Sequence, residues 1–274
     1  MEIAILLENS SIDSRYKSKH GLSIFIKFHD LNILLDTGPD RNFFLNAKKM
    51  NLDLAKVEML FLSHAHYDHT GGLNEFLKLN NNAAVYIMDS INSKYYSNRK
   101  FFNISIGLKL KRKNSGRITQ LEKDFNPGNN IYFLKNTILC NQKPASNRTL
   151  MKEVDRKLKA DAFDHEGILV FDDNGELAIF NSCSHNGLLN IIKTAEEKIP
   201  NKKIKAYVGG LHLSNPKTQE HESDEYLDVL IGELKKKEIT VYTGHCTGKY
   251  AFDYLKSALK ENIQKISTGM LIGL

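Results

Sequence analysis

The pattern of apolar and polar positions predicts short β-strands in the first third of the chain. Runs rich in Ile, Leu and Phe at residues 2–7, 22–28 and 32–36 are typical of strands, with a turn between the last two. A helix is expected at 40–50, a strand at 57–63 and a helical stretch at 71–79. The first third therefore predicts strands interrupted by helices.

The second half of the chain repeats this order. Strands are expected at 167–171, 176–181, 204–209 and 239–243, with helices at 188–199 and 223–237. Two halves of this kind predict an α/β protein, an αββα sandwich with two mixed sheets face to face and helices outside. The pattern weakens at about 92–161, so we expect one domain over 1–274 with an irregular insertion there, near the active site.

Composition limits the classes of protein that fit. The chain has 274 residues, 41% of them hydrophobic, which is enough for a substantial core. The N-terminus lacks the features of a signal peptide, and no apolar stretch approaches membrane-spanning length. We therefore expect a soluble, cytoplasmic protein with no membrane partner.

The cysteines and the charges add two further expectations. Three cysteines without a CxxC pattern exclude a disulfide framework and a four-thiolate zinc site, so a metal is expected to rely on nitrogen and oxygen ligands. The net charge is +6, and part of the excess lies in Lys109, Lys111, Arg112, Lys113 and Arg117. This basic cluster could steer an anionic substrate or nucleic acid, but a solvated charged surface is the favoured interpretation.

The segment His64-Ala65-His66-Tyr67-Asp68-His69 directly follows a predicted strand. Zinc takes imidazole and carboxylate ligands, and catalytic zinc sites keep one position open for water. Side chains alternate in an extended loop, so His64 and His66 point the same way and are expected to bind one ion. Asp68 and His69 are expected to bind a second ion. The alternative, a polar loop that holds these four residues by chance, would be a rare coincidence.

Three more histidines follow later predicted strands. His185 could complete the ligands of the first ion, and His245 could join Asp68 and His69 at the second. Cys246 could replace His245, because a thiolate is a soft metal ligand. His212 could bind metal, contact substrate or transfer protons, or could be structural.

Asp36 precedes Thr37-Gly38 at the end of another predicted strand. A carboxylate in this position can orient a ligand histidine by accepting its second N–H. We favour this role over that of a helix cap.

These motifs resemble the metallo-β-lactamase-fold superfamily through the HxHxDH loop, the upstream Asp36-Thr37-Gly38 and the later histidines. Further matches at Glu8-Asn9, His20 to Ser23, Cys183 to His185 and Gly244 to Gly248 resemble its branch of 7,8-dihydropterin-6-methyl-4-(β-D-ribofuranosyl)aminobenzene-5'-phosphate synthases. The matches extend from the N-terminus to about residue 252.

The resemblance implies the αββα sandwich and two divalent metal ions, with zinc favoured over Mn or Fe. It implies that His64, His66 and His185 bind one ion and that Asp68, His69 and His245 bind the other. The bridging aspartate of the superfamily is absent, and His212 lies near its place. The resemblance also suggests that Asn9 and His20 border the substrate cleft, together with Cys246 and with Thr247, whose helix N-terminus could hold a phosphate.

The leading functional prediction is a metal-dependent hydrolase that uses a metal-bound hydroxide on an anionic small molecule, with a phosphoester, a lactone or a similar bond as the target. Asp68 would orient the nucleophile, and His212 could protonate the leaving group. The alternatives are a ribosyl-transferring synthase, which the resemblance implies, a nuclease, a metal binder without activity and a di-iron redox protein. Nucleic acid is not the expected partner because no aromatic and basic binding motif stands out.

Overall fold

The apolar runs at both ends of the chain form one seven-stranded sheet in the computed structural model, which describes residues 1–88, 90, 92–215, 218 and 220–274. Its strands are β1 (Glu2–Leu7), β2 (Ser23–Phe28), β3 (Leu31–Leu35), β4 (Met59–Leu62), β5 (Ala84–Ile87), β8 (Ile118–Gln120) and β18 (Leu271–Gly273). The strand order is β18-β1-β2-β3-β4-β5-β8. The pairs from β3 to β8 are parallel, and the pairs on the other side of β3 are antiparallel.

This sheet belongs to a first compact unit that comprises Met1–Glu122, Thr149–His165 and Ser267–Leu274. The unit also contains helices α1 (Asn42–Lys49), α2 (Tyr67–Thr70) and α3 (Leu73–Leu79). A four-stranded sheet in the order β12-β11-β6-β7 completes it, formed by β6 (Tyr95–Asn98), β7 (Asn103–Ser105), β11 (Leu150–Val154) and β12 (Lys157–Ala160). Its hydrophobic core joins Phe43 of α1 and Phe76 of α3 to Leu60 and Leu62 of β4.

The second compact unit comprises Lys123–Arg148 and Glu166–Ile266. Its sheet has seven strands, which are β9 (Phe125–Gly128), β10 (Ile131–Lys135), β13 (Gly167–Asp173), β14 (Glu176–Phe180), β15 (Lys203–Val208), β16 (Thr240–Thr243) and β17 (Ile263–Lys265). The strand order is β17-β16-β15-β14-β13-β10-β9. Helices α4 (Leu188–Lys198), α5 (Asp224–Lys237) and α6 (Lys249–Leu259) bury Ile191, Leu230 and Leu255 in the same core as Ile179 and Val241.

Parallel pairing determines where the polar segments lie in each unit. Strands β14, β15 and β16 are mutually parallel, so their carboxyl ends meet at one edge of the sheet. The segments after these strands carry Cys183 and His185, then His212, then Cys246. Strands β3 and β4 are also parallel, and their carboxyl ends lead into Asp36 and the HxHxDH loop in the first unit.

The region 92–161 differs from the irregular insertion that the sequence predicts, because it contains strands β6 to β12. These strands have only three to five residues, and most of their side chains are exposed or half-buried. They therefore lack the apolar alternation on which a prediction of strands depends. The α/β class is confirmed, and the single domain stays a prediction. Among the described residues no helix is long and apolar enough to cross a membrane.

A buried side chain at the end of α3 holds the segment that leads into β4. The Asn80 amide nitrogen donates to the carbonyls of Leu54 and Val57 at 3.0 and 2.8 Å, and its oxygen accepts from the Asn82 and Ala83 amides at 2.9 and 2.7 Å. One side chain thus satisfies two backbone carbonyls before β4 and two backbone amides before β5.

Replacing Asn80 by Ala should lower the free energy of unfolding by about 2–3 kcal/mol, because buried backbone groups lose their partners. Urea denaturation followed by circular dichroism measures this change. The matched control is Asn82→Ala, an exposed position, which should stay within about 0.5 kcal/mol of the wild type. Equal stabilities for the two variants would contradict this role of Asn80.

Candidate metal centre

Asp36 is the hub of the polar cluster in the first unit. It is fully buried, and its backbone is left-handed with φ of 59°. One carboxylate oxygen accepts the Ser63 backbone N–H at 2.7 Å, while the other accepts the Ser63 hydroxyl at 2.6 Å and His69 Nδ1–H at 2.9 Å. A charge removed from water needs such donors. Asp36 thus contacts both ends of the HxHxDH loop.

These contacts fix the protonated nitrogen of two histidines. His69 must donate from Nδ1, because the Asp36 carboxylate only accepts. The one hydroxyl proton of Ser63 is donated to Asp36. The Ser63 oxygen also lies 2.8 Å from His64 Nδ1, so in this contact it accepts, and Nδ1 of His64 carries the proton. Nε2 of His64 and of His69 is therefore the lone-pair atom through which each ring would bind a metal. Donor atoms of Asp36, His64 and His69 all lie within 4.8 Å of one another.

The imidazoles of His64 and His66 are held in the neutral, metal-binding form. Burial lowers the pKa of His64 well below its ordinary value, and the nearby His69 and His66 lower it further. Burial and the nearby His165 lower the pKa of His66 to about 3. The His64 ring lies 4.6 Å from that of His66 and 4.3 Å from that of His69, between centroids. A metal would not have to displace protons from these rings near neutral pH.

Asp68 lies at the more open side of the cluster. One of its carboxylate oxygens is 3.6 Å from His69 Nε2 and 3.4 Å from Nε2 of His20, whose side chain is largely exposed. Asn9 accepts the backbone N–H of Gly21, the residue after His20, at 3.2 Å. The predicted substrate residues Asn9 and His20 therefore lie beside a predicted metal ligand, although their roles stay predictions.

Gly21 allows this close approach. A Cβ atom at Gly21 would lie 2.3 Å from the Asp68 carbonyl oxygen, and φ of 139° is rare for any other residue.

His165 is a buried histidine that sequence reasoning missed. Its Nδ1 accepts the Ala65 backbone N–H at 3.4 Å, and Nε2 donates to Asp161 at 3.0 Å. Burial raises the pKa of Asp161, but the hydrogen bond and charge of His165, together with the Phe163 backbone N–H and the nearby His66, lower it overall. Both ring nitrogens are engaged, so His165 positions the loop and packs against His66, 5.8 Å away between ring centroids. No motif marks Asp161 or His165, because strands β11 and β12 are almost featureless in sequence.

In the second unit the segment after β14 presents His185. Its backbone N–H donates to the buried Glu166 carboxylate at 2.7 Å. The Asn147 amide nitrogen donates to the His185 carbonyl at 2.7 Å, which leaves the Asn147 oxygen to accept Nδ1–H at 2.9 Å. His185 would therefore also bind a metal through Nε2. Glu166 and Asn147 are separate from His185 in sequence and carry no signal.

Cys183, His212 and Cys246 converge at the same sheet edge, with donor atoms within 4.8 Å of one another. The two sulfur atoms are 3.5 Å apart, and the His212 backbone N–H donates to the Cys246 sulfur at 3.3 Å. Burial raises the pKa of the Cys246 thiol, but the bond with Cys183 and the nearby His245 and His212 outweigh this and hold it well below its ordinary value. Sequence reasoning missed Cys183 as a functional residue.

His245 and Thr247 follow β16. His245 is buried, with a left-handed backbone at φ of 46°. The Thr247 hydroxyl accepts the Leu211 backbone N–H at 3.1 Å and contacts the Thr243 hydroxyl at 2.6 Å. The Thr247 backbone N–H donates to the Gly244 carbonyl at 3.1 Å. Thr247 thus ties two segments together, and its predicted contact with a phosphate stays a prediction.

Comparison with known proteins shows which protein family and which solved structure the chain resembles. Residues 19–126 match the family model of the metallo-beta-lactamase superfamily. The crystal structure of Tm1679, described as a metal-dependent hydrolase of the beta-lactamase superfamily, has a TM-score of 0.81 at 27% identity, over 100% of this chain and 99% of that one. The metallo-β-lactamase fold and the resemblance stated from the motifs are confirmed.

Two proteins of Methanocaldococcus jannaschii are also similar over most of their length. One is named 7,8-dihydropterin-6-methyl-4-(beta-D-ribofuranosyl)-aminobenzene-5'-phosphate synthase and is 26% identical, over 95% of this chain and 92% of the relative. The other is an uncharacterized protein, 24% identical over 99% of this chain and 100% of the relative. Members of the metallo-β-lactamase superfamily are mostly metal-dependent hydrolases, yet these relatives leave the reaction open.

Changing Asp36 to Asn should weaken Zn²⁺ binding by about 10- to 100-fold, because His69 loses the carboxylate that orients it. Competition with a chromophoric chelator measures the affinity. Asp40→Asn is the control, since that partly exposed carboxylate pairs with Lys19 outside the cluster. A folded Asp36→Asn protein with wild-type affinity would refute the orienting role.

The metal-free protein should lose stability in acid. The pKa of His66 is about 3 in the folded state and about 6.5 when exposed, so below pH 6.5 only the unfolded state takes up this proton. Each such histidine lowers the free energy of unfolding by up to about 1.4 kcal/mol per pH unit down to pH 3. Urea denaturation between pH 7.5 and pH 5 should show a shallower pH dependence for His66→Gln than for the exposed control His29→Asn. Parallel curves would show that His66 is not held neutral.

Proposed function

We propose that the protein is a metal-dependent hydrolase acting on an anionic, phosphorylated small molecule. The observation that carries this proposal is the buried set of imidazoles after β4, in which Asp36 fixes His69 and, through Ser63, His64. Such a carboxylate–histidine arrangement is typical of metal sites. The similarity to Tm1679 along the whole chain supports hydrolysis as the reaction class.

The donor set fits divalent ions of the zinc class. Besides these imidazoles, His212 has two buried ring nitrogens without a hydrogen-bond partner among the described residues. We propose two ions, with zinc favoured over Mn and Fe. One would be held by His64, His66 and His185, and the other by Asp68, His69 and His245. This assignment rests on the motif spacing and on the resemblance to the superfamily.

When bound, two such ions supply Lewis acidity, which lowers the pKa of a water molecule and neutralises charge on a reacting oxygen. The residues contribute orientation and charge. Asp68, partly accessible beside His69, can accept a hydrogen bond from the attacking water and fix its direction. The buried His64 and His66 exclude bulk water from their side of the centre.

The substrate class follows from the accessible residues next to Asp68. His20 presents an imidazole there, and Asn9 holds the adjoining backbone by accepting the Gly21 N–H, so the His20 ring N–H, a donor suited to anionic oxygens, borders the predicted metal ligands. A phosphate ester needs such donors. The basic cluster Lys109–Arg117 is a second source of positive charge, although the Arg117 guanidinium is already engaged with the Leu77 and Asn80 carbonyls.

A ribosyl-transferring synthase is the second candidate. The observation in its favour is the similarity to the named synthase over 95% of this chain. An identity of 26% leaves room for a different reaction on the same centre. The two functions predict different products from the same protein preparation.

The decisive experiment supplies purified, zinc-loaded protein with aryl phosphate mono- and diesters, and separately with a phosphoribosyl donor and an aminobenzoate. If the protein is a hydrolase, the wild type should release the aryl alcohol. The His64→Gln and Asp68→Asn variants should each lose at least about 100-fold in kcat/KM. His29→Asn, a histidine in the turn between β2 and β3, is the matched control and should keep full activity.

Pyrophosphate release that depends on the aminobenzoate would overturn the hydrolase and favour the synthase. Zinc binding without turnover of any ester or donor would overturn both, and would indicate a metal-binding protein without activity.

A further inference from the structure

The hairpin of β6 and β7 carries three exposed apolar side chains next to an open sheet edge. Phe101 is 85% exposed, Phe102 60% and Ile104 41%. Strand β7 is the last strand of the four-stranded sheet, and all its side chains are exposed. Apolar side chains grouped beside an unpaired edge strand are typical of a surface that binds another chain.

The backbone of β7 has hydrogen-bonding groups that face away from β6. Arg99 and Phe102 exchange both of their backbone hydrogen bonds across the hairpin, at 2.8 and 3.2 Å. Bonded and non-bonded pairs alternate along antiparallel strands, so Asn103 and Ser105 direct their N–H and C=O groups outward. These outward groups have no protein partner in the described part of the chain. Only another extended peptide presents donors and acceptors at the matching spacing, which lipids and nucleic acids do not.

The two edges of the four-stranded sheet differ in charge. The opposite edge, β12, carries Lys157 and Lys159, and lysines on an edge strand prevent pairing with another chain. The segment from Phe101 to Ser105 contains no charged residue. Strand β7 therefore lacks the protection that β12 has.

Two β7 edges are complementary to each other when they run antiparallel. With a two-fold axis at Ile104, Asn103 of each copy faces Ser105 of the other copy, so every outward backbone group finds a partner. The two Ile104 side chains then meet across the axis with their Cβ atoms about 4.5–5.5 Å apart. Phe102 lies two residues from Ile104 and thus on the same face of the sheet.

We propose that two copies of this chain pair through β7 in a symmetric antiparallel dimer, which joins their four-stranded sheets into one continuous sheet. Phe101 and Phe102 expose roughly 300 Å² on each copy. This area places the interface near or below the small end of specific interfaces, which bury about 1,200 Å² in total, so the dimer is reversible. The proposal depends neither on bound metal nor on the reaction.

The paired edge would lie next to the HxHxDH loop. Directly after β7, the Ile106 carbonyl accepts the Tyr67 backbone N–H at 2.7 Å, and Gly107 forms a β-bridge with His66. A second copy on β7 would therefore hold the strand that supports this loop.

Sedimentation velocity of reduced, metal-free protein over a range of concentrations tests the dimer. The wild type should shift from the monomer mass of 31.2 kDa toward twice that mass as the concentration rises. Ile104→Lys places like charges opposite each other on the axis and should weaken association by at least about tenfold. Ser105→Pro removes an outward N–H without removing a bond to β6, and should weaken association to a similar degree.

The matched control is Leu158→Lys, the same change at an apolar position of β12 that is 37% exposed. It should associate like the wild type. Circular dichroism confirms that each variant is folded. Equal weakening by Leu158→Lys and Ile104→Lys would overturn the pairing through β7.

Amide hydrogen exchange of the wild type identifies the edge without any substitution. The Asn103 and Ser105 amides should exchange at least about tenfold more slowly at concentrations where the dimer dominates than where the monomer does. The Leu158 and Ala160 amides of β12 should exchange equally at both. A dimer that leaves the Asn103 and Ser105 amides unprotected would contradict the proposal.

A wild type that stays monomeric at its highest soluble concentration would also overturn the dimer. Binding of that monomer to RNA, or to vesicles of phosphatidylcholine and phosphatidylserine, with loss of binding in Phe101→Ser, would assign the hairpin to that partner instead. Because all these measurements use metal-free protein, their outcome is separate from the success or failure of the proposed hydrolase.

Discussion

The burial of the Asp36 carboxylate is the constraint on which the first unit's polar cluster depends. A carboxylate with no exposed surface is tolerated only when several donors surround it, and here these donors are both polar groups of Ser63 and the ring of His69. The same contacts determine which nitrogen of His64 and His69 carries the proton. One buried charge therefore fixes the loop conformation and the chemical form of its histidines together.

The second unit also buries a carboxylate and orients a histidine, but with different partners. His185 is oriented by the neutral amide of Asn147. The Glu166 carboxylate accepts the backbone N–H groups of His185 and Asn186. The side chains at the ends of β15 and β16 contribute sulfur as well as nitrogen. The two units thus offer donors of different softness, and ligand softness is one of the properties by which a site selects its metal.

Many of the strands, helices and site residues could be predicted from the sequence, but only where the pattern lies within a few neighbouring residues. The HxHxDH spacing, the strand that precedes it and the position of Asp36 are all readable within a few residues. His165, Asn147 and Glu166 are not, because each acts on a residue 19 to 100 positions away through contacts that only tertiary structure creates. Cys183 escaped attention for another reason: its partner Cys246 lies 63 residues later, and neither is in a CxxC pattern.

The left-handed backbone at these strand ends has a consequence for how the site can change over evolution. Asp36, Ser184, His212 and His245 all have φ between 46° and 59°, a conformation in which Asp, Asn and His are enriched several-fold over other non-glycine residues. A single-nucleotide change converts either histidine codon into an aspartate codon. The main chain at His212 and His245 is therefore already shaped for an aspartate, so a point mutation at either position can exchange a nitrogen donor for an oxygen donor without remodelling the loop.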